Sequence, residues 1–142
     1  MTRLDCIIED FKAADDELRM ELLLEYAALL PPLPAAYCTL RDAGLNFVEE
    51  CQSPVFLMVD IRRDGHLRIY ADIPEEAPIA RSFTSMLIQV FDGQPASAVR
   101  DAPSDLLDTL ELKRLLGLQR IRGLTAIHRR VRLEAAQGAG YP

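Results

Sequence analysis

Covalent chemistry in this chain would turn on Cys51, which sits in the run Glu50-Cys51-Gln52-Ser53-Pro54-Val55-Phe56. A cysteine in a core is a small, inert hydrophobe. The polar neighbours Glu50, Gln52 and Ser53, with Pro54 lacking a backbone donor, predict a loop instead. A thiol on a loop can meet a partner, and its thiolate is the nucleophile. An unperturbed thiol, with a pKa of about 8.5, is only slightly ionised at neutral pH. The Glu50 carboxylate beside it opposes ionisation further.

The other residues able to do chemistry are scattered. Cys6 follows Asp5 on an amphipathic first helix and reads as a packing or surface residue. Cys38 lies near a proline run, and its meeting Cys51 in space is the condition for a shared metal site. His66 falls in a turn and His128 on the apolar side of a helix, neither with a metal-ligand companion at suitable spacing. Three cysteines at positions 6, 38 and 51 make neither a disulfide framework nor a CxxC pair. A reducing cytoplasm fits that usage.

The elements around Cys51 follow from periodicity. Leu4, Ile7, Ile8 and Phe11 predict a helix over 3–11, and Asp15 or Asp16 caps a second running to about Leu30. Leu30-Pro31-Pro32-Leu33-Pro34 stops it. Residues 35–45 read as a loop with one helical turn, and Asn46-Phe47-Val48 as a short strand. Val55–Ile61 and Leu67–Ala71 predict two strands joined through Arg63-Asp64-Gly65-His66, where Asp-Gly is the hairpin signal. A helix opens at Pro74–Pro78 and stops at Asp92-Gly93, and Pro95 to Arg100 predicts a short one. Another is expected from Pro103-Ser104-Asp105 to about Leu116, then a C-terminal helix after Gly117. The expectation is one α+β domain over 1–136, with a three-stranded antiparallel sheet covered by helices and a disordered tail at 137–142.

Composition narrows the function. At 142 residues and 49% hydrophobic, the chain has length and apolar content for a core. A net charge of −6 argues against binding nucleic acid through phosphates. No run approaches the roughly 18 apolar residues of a membrane helix, and Asp5, Glu9 and Asp10 interrupt any leader at the N-terminus. No phosphate-cradling glycine loop is present. Arg122, Arg129 and Arg132 share one face of the last helix, with Arg130 nearby, as a solvated face or a docking patch for an acidic partner.

Cys51-Gln52-Ser53, one residue, then Val55 and aromatic Phe56 resembles the Cys-Gln-Ser-X-Val-Trp signature of the SufE family. The stretch from Ile7 through the proline run, and Arg120 with Gly123 and Leu124 in an Arg-Ser-X-Gly-Leu pattern, extend the resemblance over residues 5 to 135. Departures are Glu50 for the family's Gly, Phe56 for Trp, Ile121 for Ser, and Arg81-Ser82 for a Lys-Gly pair.

The resemblance implies a SufE/IscU-like fold and a sulfur acceptor rather than an enzyme. Such a protein takes persulfide sulfur from a cysteine desulfurase of the SufS or CsdA type onto Cys51, stimulates it, and passes sulfur to a SufB-containing scaffold complex for iron–sulfur cluster assembly. Arg120 would contact the thiolate or the partner, and Glu50, Gln52 and Ser53 would support the loop. Pyridoxal phosphate would belong to the desulfurase, leaving this chain without cofactor or metal, as a monomer or weak dimer. The rival expectations are a metal or iron–sulfur scaffold using Cys51 and Cys38, a cysteine enzyme pairing Cys51 with His66 or His128, and a regulator that docks without carrying sulfur.

Overall fold

The computed structural model describes residues 1–139. Helix α1 (Arg3–Ala13) begins at a capping box in which Thr2 and Asp5 satisfy each other's backbone donors. Its Leu4, Ile7 and Phe11 form the buried stripe. Asp15 caps α2 (Asp16–Glu25) by accepting from Leu18 N at 2.9 Å. The expected continuation to Leu30 tightens instead into a 3-10 turn over Tyr26–Leu29 before the prolines. Helix α3 (Ala35–Asp42) occupies most of what reads as a loop in the sequence. None of its residues is fully buried. It is held from outside, by Tyr37 stacked on Tyr70 at 4.4 Å and by Arg41 paired with Asp72 at 2.7 Å.

Strands β1 (Phe56–Ile61) and β2 (Leu67–Asp72) pair antiparallel, with Phe56 opposite Asp72 and Ile61 opposite Leu67. Between them Gly65 takes a φ of +84°, a value that a side chain disfavours. The sheet has two strands, not the three expected. Phe47 makes only an isolated bridge to Phe56, because Asn46 turns left-handed (φ 62°) and breaks the extended run.

Helix α4 (Pro78–Phe91) is central: every residue from Ser82 to Ile88 is buried. It packs against α2 and its 3-10 turn, β2, and the long α7 (Leu118–Ala139). Ser82 is fully buried in this packing, its hydroxyl donating to Pro78 O at 2.7 Å. Helix α5 (Ala96–Asp101) lies against α7, and α7 also covers β1.

The single helix expected up to Leu116 is divided into α6 (Leu106–Thr109) and a 3-10 turn over Lys113–Leu115. Leu106, Leu107 and Leu110 share one helical face, but Leu112 falls on the other, and all four are buried. A left-handed Glu111 (φ 57°) swings Leu112 inward. The tail expected from 137 starts too early. Helix α7 runs to Ala139, and Gly138 packs so closely on Ile61 that a Cβ would clash. Residues 140–142 lie outside the described residues.

Candidate functional site

The loop carrying Cys51 is staked by two buried valines. Val48 N donates to Val55 O at 2.9 Å, and Leu57 N to Asn46 O at 3.0 Å, closing the loop at its base. Inside it, Cys51 N donates to Val48 O at 3.2 Å, closing a tight turn at the cysteine.

The thiol is half-buried and lines a cleft of about 230 Å³. One wall is the loop itself, Cys51, Gln52, Ser53 and Val55. The second is the start of α4, from Glu76 to Ala80, and the third is the first turns of α7, with Gln119, Arg120, Gly123 and Leu124. Two helix N-termini, where backbone N–H groups lack helical partners and the dipole is positive, thus open on the same space as the sulfur. Ala77, at the start of α4, gives no side-chain cap.

Cys51 Sγ donates to Gly123 O at 3.6 Å. Gly123 permits this approach, since a Cβ there would stand 3.2 Å from Sγ. Burial, and secondly the Glu50 charge, push the thiol pKa from 9.0 up to about 11. At neutral pH the resting sulfur is therefore a neutral thiol held against a carbonyl.

Of the residues expected at the site, Cys51, Gln52, Ser53 and Arg120 meet in this cleft. Arg120 is exposed and has no carboxylate partner among the described residues. Glu50 does not line the cleft and acts through its charge. The other candidates are elsewhere. Cys38 sits on α3 with Sγ 3.7 Å from Pro34 O, and Cys6 is exposed on α1. His66 Nδ1 lies 3.1 Å from Asp64 in the hairpin loop. His128 is buried on α7, its pKa lowered to about 4, first by burial and then by Arg132. No group of three or more His, Cys, Asp or Glu among the described residues could hold a metal ion. Nor is any described helix long and apolar enough to cross a membrane.

The sequence reading missed the wall formed by Glu76–Ala80 and the sulfur contact of Gly123. Pro78, at the first position of α4, signals a helix start but not what that start faces.

A family model described as "SufE: Fe-S metabolism associated domain" matches residues 5–135. The chain belongs to the SufE family. It is 36% identical to an uncharacterized SufE-like protein of Mycobacterium tuberculosis over 126 residues, covering 89% of this chain and 86% of that one. With an uncharacterized SufE-like protein of Rhizobium meliloti it shares 31% over 138 residues, 95% and 96% of the two chains. It also matches a segment amounting to 16% of the chloroplastic quinolinate synthase of Arabidopsis thaliana, at 30% identity over 84% of this chain. The solution structure of a hypothetical protein from Thermus thermophilus superposes with a TM-score of 0.79 at 31% identity, over 99% of this chain and 100% of that one. The α+β fold is thus that of a solved relative, and the SufE domain assigns the chain a role in iron–sulfur metabolism.

Proposed function

We propose that this chain is a covalent sulfur carrier that accepts persulfide sulfur on Cys51 from a pyridoxal-phosphate cysteine desulfurase. The observation that carries the reading is a lone thiol in a cleft shared by Arg120 and the first turns of two helices. In the transfer, Cys51 gives up its proton and its thiolate attacks the outer sulfur of the donor persulfide. A new S–S bond forms on Cys51 as the donor's S–S bond breaks. The donor sulfur leaves with the electron pair and takes up a proton, so no net oxidation occurs.

The resting state suits a carrier that must not react with the wrong electrophile. A neutral thiol bound to Gly123 O is a poor nucleophile. Docking would draw Cys51 off Gly123 toward Arg120 and the helix N-termini, which favour the anion. Gln52 and Ser53 shape the near wall. The carrier would then stimulate the desulfurase by clearing its persulfide, and pass sulfur to a cluster scaffold. A cytoplasmic, reducing setting would keep the three cysteines, all free in this structure, as thiols.

Intact mass after incubation with a cysteine desulfurase and cysteine tests the reading. Wild type gains about 32 Da, one sulfur, and Cys51→Ser gains none. A desulfurase stimulated by a chain that never gains sulfur would identify a docking regulator, the reading that Glu50 favours. Neither effect would remove the desulfurase from the account.

A further inference from the structure

Between α5 and α7 lies a second depression, an open groove of about 490 Å³ against about 230 Å³ for the Cys51 cleft. Its floor is apolar, with Val99 and Ala135 almost wholly buried, and Leu133 stands 55% exposed at its lip. Arg100, Arg129 and Arg132 line it as well. Arg100 pairs with its neighbour Asp101 at 3.2 Å. Arg129 and Arg132 are exposed and have no carboxylate within ion-pair reach among the described residues. On a chain of net charge −6, these arginines concentrate positive potential on one face.

The groove is separate from the thiol. Gly123 touches Cys51, and Arg132 follows nine positions later, about two and a half helical turns, on the opposite side of α7. A molecule seated between α5 and α7 would leave the Cys51 cleft uncovered.

We propose that this groove binds an acidic amphipathic helix of a partner protein, with the Cys51 cleft still open. Charge complementarity selects the acidic character, because the two guanidiniums have no carboxylate to answer them among the described residues. The apolar floor and the exposed Leu133 select a helix over a small anion. A phosphate gains nothing from apolar surface, whereas leucines on one helical face would bury it while flanking glutamates meet the arginines. Arginine rather than lysine at these positions suits an interface, since guanidinium is weakly hydrated and binds carboxylate bidentately.

The test uses the full chain, labelled with ¹⁵N, and a synthetic amphipathic helix with leucine on one face and glutamate on its flanks. Saturable shifts are expected at Val99, Leu133 and Ala135 and not at Gln52 or Ser53, with affinity falling as salt rises. Charge reversal in Arg129→Glu with Arg132→Glu should weaken binding at least tenfold, and Leu133→Ser should weaken it while leaving the salt dependence in place. The same helix with lysine for glutamate should not bind. Several results would overturn the proposal: no saturable binding, shifts elsewhere, equal binding of the lysine helix, or the same shifts from inorganic phosphate alone. Self-association that occupies the groove would overturn it too, assigning the face to a second copy of the chain.

Discussion

Two arginines mark regions organised on opposite principles. Arg19, at the α1–α2 junction, is 4% exposed. Its Nε donates to Phe11 O at 2.8 Å, Nη2 to Ala14 O, and Nη1 to Asp16 at 2.8 Å, with Glu111 at 4.0 Å beyond. It gathers the carbonyls at the end of α1 and ties them to α2. Arg120, which lines the Cys51 cleft, is exposed and without a carboxylate partner among the described residues. The thiol that shares the cleft makes one long hydrogen bond among the described residues, to Gly123 O. Where polar groups hold the fold, their hydrogen-bonding capacity is used up. In the cleft proposed for sulfur transfer, capacity is left for something that arrives.

Exchanging these two side chains for neutral ones should produce opposite phenotypes, and this is the largest effect expected. Arg19→Met keeps an apolar stem but strands the Ala14 carbonyl, at about 1–3 kcal/mol for an unsatisfied group, and leaves the Phe11 carbonyl with only the Ala14 N–H. Urea denaturation should show a loss of about 3 kcal/mol with an unchanged m-value, and the folded fraction should still take up sulfur. Arg120→Gln should stay within about 0.5 kcal/mol of wild type, as exposed substitutions do, while sulfur uptake slows. A destabilised Arg120 variant, or an undisturbed Arg19 variant, would break the contrast.

A smaller effect is expected at Gly123. A methyl group there would crowd Cys51 Sγ at 3.2 Å, so the sulfur must give by a few tenths of an ångström, which loosens its long contact with Gly123 O. Ala also favours helix over Gly by about 1 kcal/mol, which offsets the crowding. Gly123→Ala should therefore melt near wild type yet alkylate at Cys51 several-fold faster, read by iodoacetamide labelling in a background lacking Cys6 and Cys38. Equal rates would mean that Gly123 does not hold the thiol.

The sequence made Cys51, its loop, the hairpin and the order of the helices legible, because each depends on local chemistry. Proline at 54 and 78, Asp64-Gly65 and the apolar stripes act within a few residues of themselves. What it did not disclose depends on residues far apart. Helix α3 exists because Tyr37 finds Tyr70 and Arg41 finds Asp72. The break at Glu111 exists because Leu112 must bury beside Leu110, and nothing in the run Leu110-Glu111-Leu112 says so. The missing third strand is one left-handed residue, Asn46, in a run that reads as extended. Glu76–Ala80 face Cys51 only once α4 has packed across α7.

The smallest effect, and the one that separates burial from charge, lies in the pH dependence of the thiol. With burial and Glu50 together holding the pKa near 11, the alkylation rate of Cys51 in the free protein should climb through pH 9 and bend only near 11. Glu50→Gln removes the lesser cause, so the bend should move to lower pH and still lie above the range of an unperturbed thiol, because burial remains. Stability follows the same asymmetry. The unfolded thiol ionises at lower pH than the folded one, so from about 9 upward the unfolded state binds fewer protons and stability falls as pH rises toward 11. That decline should be shallower in Glu50→Gln and absent at this site in Cys51→Ser. A wild-type bend at the ordinary thiol value would show Cys51 to be solvated in the free protein. The sulfur would then need no release from Gly123, and the region would hold its capacity in the open, as Arg120 does.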